Sequence, residues 1–147
     1  MKIKKIMALV LSTVIIVSCL SVTSYAEDLS PIIVEEDIPE YENVRSLSNS
    51  LTISSTTAYC DSVCTGFNNV VQITVTQTLQ KFWGLWIWND VSGASWQDTS
   101  MTNEIDISTS KSDLSSGTYR LKSVFTLCTQ NGQTETITIY SSENTVT

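Results

Sequence analysis

The chain has 147 residues, 41% of them hydrophobic, with 8 Lys and Arg against 15 Asp and Glu, no histidine and a formal net charge of −7. Without histidine there is no Ser-His-Asp or Cys-His catalysis and no ordinary His-containing zinc site. So acidic a surface repels phosphate backbones and anionic lipid, which removes nucleic acid from the expected partners.

Residues 1–26 read as a signal peptide. Lys2, Lys4 and Lys5 form its positive region, the apolar run Ile6 to Leu20 falls short of the roughly twenty residues of a membrane span, and Ser24-Tyr25-Ala26 offers small residues to signal peptidase. Cleavage between Ala26 and Glu27 leaves an exported protein with no transmembrane segment, secreted or held at the cell surface. Ile16-Val17-Ser18-Cys19 resembles the bacterial lipobox, so a lipid anchor at Cys19 is the competing expectation. The well-formed stretch through Ala26 favours cleavage there. Loss of the three signal lysines brings the mature net charge to about −10, which favours solubility outside the cell.

Residues 27–45 are rich in acids, contain Pro31 and Pro39, and read as a flexible acidic tail with one apolar patch, Ile32-Ile33-Val34. Residues 46–147 suit a single domain with one core.

The first strand is expected at Leu51 to Ser54 and the second at Thr57 to Thr65, followed by a turn over Gly66-Phe67-Asn68-Asn69. Val70 to Gln80 alternates, with Val71, Ile73, Val75 and Leu79 on a buried face and Gln72, Thr74, Thr76, Thr78 and Gln80 on a wet one. A turn at Phe82-Trp83-Gly84, with Gly84 in a bulge, sends Leu85 to Asn89 back so that Leu79 faces Ile87. Trp86 and Trp88 then fall on the outer face, over Gln80 and Thr78. A polar loop holds Ser92-Gly93, and the segment around Trp96 is too mixed to assign. Asn103 to Ser108 follows, with Ile105 and Ile107 inward and Glu104 and Asp106 outward.

The last hairpin runs from Ser116 to Tyr140, with Tyr119, Leu121, Phe125 and Leu127 on its inner face and a turn over Gln130-Asn131-Gly132-Gln133. Were Asn131-Gly132 alone the turn, Ile137 and Ile139 would face away from Phe125. A three-residue loop, Gln130 to Gly132, pairs Phe125 with Ile137 and puts both apolar sets inside.

About seven short strands, no helix and regularly spaced turns predict an all-β antiparallel sandwich. Asp113 to Leu121 sharpens this. A Gly two residues before Tyr119, with Leu121 as the next core position, resembles the corner of immunoglobulin-type domains, although Leu121 stands where an antibody domain has Cys. Leu79-Gln80-Lys81, the aromatic turn, the Trp-containing return strand, Ser116-Gly117-Thr118-Tyr119-Arg120, the Asn-Gly turn and Thr134-Glu135-Thr136 together resemble a group of small secreted proteins of Gram-positive bacteria. The resemblance covers most of residues 57–147 and implies export and a sandwich. It implies no activity and no site residues.

Three cysteines outlast the signal peptide: Cys60, Cys64 and Cys128. In an exported protein a disulfide of Cys128 with Cys64 or Cys60 is expected, with one thiol left over. Zinc wants four ligands, and no metal is expected here. Glu104 and Asp106 lie about 7 Å apart along one strand face, a separation compatible with glycoside hydrolysis, but alternating acids are ordinary on a wet strand. Asp90, Asp98, Glu104 and Asp106 could hold calcium in principle, without any EF-hand-like loop to support it. No cofactor motif is present.

The unusual feature is Phe82, Trp83, Trp86 and Trp88 within seven residues. Such rings bind sugar faces and anchor protein partners. They also pack across strands on Thr and Gln, or beneath Ile32-Ile33-Val34, with no role beyond stability. The expectation is a secreted, non-catalytic recognition module whose partner is an extracellular protein or glycan. Alternatives are a small antimicrobial or inhibitor protein and a structural module of the cell envelope.

Overall fold

The computed structural model describes residues 41–147, which form eight β-strands and no helix. They are β1 (Val44–Ser54), β2 (Thr57–Gly66), β3 (Val70–Gly84), β4 (Ile87–Ser100), β5 (Glu104–Lys111), β6 (Gly117–Thr129), β7 (Thr134–Tyr140) and β8 (Asn144–Val146). The expected signal peptide, its cleavage site at Ala26 and Glu27, Cys19 and the apolar patch of the acidic tail lie outside the described residues. β1 begins at Val44, earlier than the short first strand expected from Leu51.

The strands build two antiparallel sheets packed as a β-sandwich. One has the order β1-β2-β5 and the other β4-β3-β6-β7, with β8 continuing beside β6 where β7 has ended. The β6–β7 hairpin takes the bulged register: Phe125 pairs with Ile137, Thr129 and Gln133 close the loop, and Gly132 has φ 79°. That positive φ suits glycine, which has no Cβ to clash with the preceding carbonyl.

β3 departs from simple alternation at its start. Its pairing with β6 slips by one residue between Val70 and Gln72, so Val70 is buried and Val71 is turned outward at 39% exposure. The inner face expected for Val71 belongs to Val70, because a bulge reverses the pleat for the residue that it inserts. Ile73, Val75 and Leu79 are fully buried, as alternation requires. Ile105 and Ile107 of β5 point inward and Glu104 and Asp106 outward, also as expected.

β4 is longer than the sequence suggests. It pairs Thr78 with Ser95 and Gln80 with Asp90, so the residues between Asp90 and Ser95 bow out opposite Leu79 alone. Ala94 is buried in that bow, and Val91 and Trp96 are half-buried against the core.

The core divides into two apolar clusters. One surrounds Leu51, Leu79, Tyr119 and Leu121, the other Ile73, Val75, Phe125 and Leu127. A polar belt of Gln77, Ser62 and Ser123, all fully buried, joins the sheets. Gln77 Nε2 donates to Ser62 Oγ at 2.7 Å, Ser62 and Ser123 share a 2.8 Å hydroxyl bond, and Gln77 Oε1 accepts from Thr109 at 2.7 Å. Asn49 Nδ2 reaches Ser123 Oγ at 3.3 Å. Each member is partnered, as buried polar groups must be if they are not to destabilise the fold.

Candidate functional site

The hairpin of β3 and β4 outruns its sheet. β3 last pairs with β6 at Lys81 and Tyr119, so beyond that row residues 82–88 pair only with one another. At about 3.3 Å per residue the tip stands roughly 10 Å clear of the neighbouring strand.

Its turn is not the one expected from the sequence. Phe82 pairs with Trp88 and Gly84 with Ile87, so the two residues at the turn are Leu85 and Trp86. Their φ values are 48° and 67°. Two positive φ angles mark a type I′ turn, whose twist matches that of the strands and whose usual residues are Asn and Gly. Leucine and tryptophan there cost about 1–2 kcal/mol each, because Cβ crowds the backbone. The expected turn at Phe82-Trp83-Gly84 and the pairing of Leu79 with Ile87 are therefore incorrect: the register does shift between Phe82 and Gly84, but ahead of the turn, Leu79 lies opposite Leu121 in β6, and Ile87 is 47% exposed.

A stack on the outer face explains the chosen register. Phe82 and Trp88 meet with ring centroids 5.2 Å apart. The Arg120 guanidinium lies 4.2 Å from the Trp88 ring and 4.1 Å from that of Tyr140, filling the space between them. Arg120 Nε donates to Gln80 Oε1 at 2.9 Å, and Gln80 Nε2 donates to Asp90 Oδ1 at 2.8 Å. One aromatic pair contributes about 0.5–1.5 kcal/mol and each cation–π contact about 0.5–2 kcal/mol, which offsets the turn's strain.

The four aromatic residues singled out in the sequence thus separate. Trp88 is half-buried in the stack, beside Phe82 rather than over Gln80 and Thr78, and Phe82 is 38% exposed. Trp86 is 92% exposed at the turn and Trp83 73% exposed on the hairpin's other face. Sequence reasoning missed Leu85, which at 87% exposure completes the tip. Its signal was available only as a Leu-Trp pair following Gly84, which alternation assigned to a strand.

Beneath Trp83 lies an open hollow of about 350 Å³, lined by Lys81, Asn89, Asp90, Lys111, Asp113 and Tyr119 among others. Its charges are mostly engaged. Lys81 Nζ donates to Ser115 Oγ and the Ser116 carbonyl at 2.8 and 2.7 Å and sits over the Tyr119 ring, while Asp90 is held by Gln80. The Tyr119 hydroxyl donates to the Ser115 carbonyl at 2.6 Å, tying β6 to the loop before it.

The other candidates are dispersed. Cys60 and Cys64 face the core from β2, whereas Cys128 lies between the inward-facing Leu127 and Thr129 and faces outward. All three are free thiols, and the expected bridge from Cys128 is not formed, because its side chain leaves the sheet on the side away from Cys60 and Cys64. Burial pushes both inner thiols up from the usual 9.0 to about 11; for Cys60 a Thr109 hydrogen bond opposes this and Asp61 adds to it, and for Cys64 Glu135 adds to it. Glu104 and Asp106 are exposed on β5 opposite Thr65 and Val63, and Asp90 and Asp98 lie on β4 in the other sheet. The described residues contain no group of three or more acidic, Cys or His side chains that could hold a metal ion. Comparison with protein-family models and with curated proteins gives no match.

Proposed function

We propose that this is an exported, immunoglobulin-like sandwich that acts as a non-catalytic recognition module, engaging its partner through the β3–β4 tip. The observation that carries the reading is the turn itself. Leu85 and Trp86 occupy left-handed positions that disfavour them, and they are 87% and 92% exposed. Residues that destabilise a turn and bury nothing are hard to explain by folding, and such strain clusters at functional sites. The β1-β2-β5 sheet facing β4-β3-β6-β7, with β8 beside β6, and the bond from Tyr119 to Ser115 support the immunoglobulin-like class. The signal-peptide pattern of residues 1–26 supports export.

The test is Leu85→Asn with Trp86→Gly, which supplies the turn with its preferred residues. The expected outcome is an equal or higher urea midpoint together with loss of binding to envelopes and intact cells of the producing organism. Unchanged binding by this variant would overturn the reading.

A further inference from the structure

We infer that the partner of the tip is a zwitterionic phospholipid bilayer, into whose interface Trp83, Leu85, Trp86 and Ile87 insert. The inference rests on the tip being the recognition surface. Residues 82–88 include no charged side chain and no side-chain hydroxyl, amide or carboxylate, only the indole N–H groups. A glycan site needs convergent polar groups beside its stacking ring, and the tip has none. In the hollow below, Lys81 is already bonded to Ser115 and Ser116, and Asp90 to Gln80.

Shape argues against a rigid protein partner. Phe82 and Trp83 are successive strand residues and leave opposite faces of a two-stranded ribbon. Partners docking on one face reach only part of the apolar surface, of order 350 Å², well below the roughly 800 Å² per side of a stable interface. A fluid medium covers both faces at once. The tip's projection of about 10 Å matches the 5–10 Å to which interfacial elements sink, and tryptophan favours that depth.

Charge selects the lipid class. Lys81, Lys111, Asp90 and Asp113 line the hollow on one side of the tip's base, and Arg120 lies against Trp88 on the other, so both signs meet there. Much of the acidity lies at the far pole, where Glu104 pairs opposite Thr65, Glu135 opposite Leu127, and Glu42 contacts Glu135. A collar of both signs suits a headgroup that carries both charges, and the acidic remainder keeps the protein from gaining by anionic lipid.

The experiment floats the purified full-length secreted protein with phosphatidylcholine vesicles and follows tryptophan emission with lipids brominated along the acyl chain. Flotation, a blue shift and quenching are expected. Trp86→Leu should still float but lose much of the quenching. Leu85→Ser with Trp86→Ser should lower partitioning by at least about tenfold, given the transfer free energy of two apolar side chains, at an unchanged urea midpoint. Replacing one third of the lipid by phosphatidylglycerol should leave partitioning within about twofold. Binding that appears only with phosphatidylglycerol, or flotation indifferent to the serine variant, would overturn the inference. Failure to float on either lipid, with Leu85→Asn/Trp86→Gly still abolishing envelope binding, would reject lipid as partner and leave the tip as a recognition surface for protein or glycan.

Discussion

Trp86 and Trp88 stand two residues apart on one hairpin and in different surroundings. Trp88 has Phe82 against it and Arg120 over its ring, whereas Trp86 is 92% exposed. Trp88→Ala should therefore destabilise the protein by about 1–3 kcal/mol, from lost packing and cation–π contact, while Trp86→Ala should stay within about 0.5 kcal/mol of the parent. Urea midpoints of the two single variants check this, and equal losses would contradict it. The cysteines differ in the same way. Cys128 should react with iodoacetamide in the folded state, while Cys60 and Cys64, wholly buried, should react only on unfolding. Their thiols ionise near 11 folded and near 9.0 unfolded, so between these values the unfolded chain holds fewer protons. The stability that they contribute is complete below about pH 9 and is lost as the pH rises through 11. Cys60→Ala with Cys64→Ala should flatten the fall in urea midpoint between pH 8.5 and 10.5.

At the scale of elements, the entry to β1 is held by a carboxylate in another sheet, beside the bonds that Phe67 and Asn69 donate to the Asn43 carbonyl and side chain. Glu135 of β7 accepts hydrogen bonds from the backbone N–H groups of Glu42 and Asn43 at 3.2 and 3.0 Å, and from the Asn43 side chain at 3.0 Å. These contacts clamp the chain just before its first strand, and little else in the sandwich depends on them. Glu135→Ala should speed hydrogen exchange at the amide of Asn43 by an order of magnitude or more, and leave the amides of β3 and β6 protected. Loss of protection throughout the sheet would show that the clamp supports the whole fold. The β3–β4 hairpin makes the complementary point. Its free end owes its register to the stack at its base, not to the residues that turn the chain.

Over the whole molecule, the polar belt decides how the two sheets meet. Apolar clusters above and below it could slide past one another with modest change in buried area. The bonds of Gln77 to Ser62 and Thr109, and of Ser62 to Ser123, admit one alignment. Gln77→Leu should cost about 1–3 kcal/mol, because it leaves the Ser62 and Thr109 hydroxyls short of a partner inside the protein. Adding Ser62→Ala to Gln77→Leu should recover part of that loss, since apolar groups have no bond to miss. A double-mutant cycle with strictly additive losses would show that the belt is not a coupled network.

Period-two alternation determined which faces of β3, β5 and β6 are buried, because the pleat is local and needs no knowledge of the rest of the chain. Asn131-Gly132, with apolar residues on either side, likewise determined the register of the last hairpin, since one slip would have exposed a whole apolar set. The bond from the Tyr119 hydroxyl to the Ser115 carbonyl is also local, since donor and acceptor are four residues apart. Three features were decided only by the tertiary structure. Gln77 sits on an apolar face, and its partners lie in β2 and β5. Val71 is reversed by a bulge that only the pairing with β6 reveals. The turn falls at Leu85-Trp86, against local preference, because Arg120 and Tyr140, distant in sequence, hold Trp88 and Phe82 below it. Local chemistry could mark this hairpin as unusual, but what exposes its tip is a non-local stack that offsets the strain of the turn.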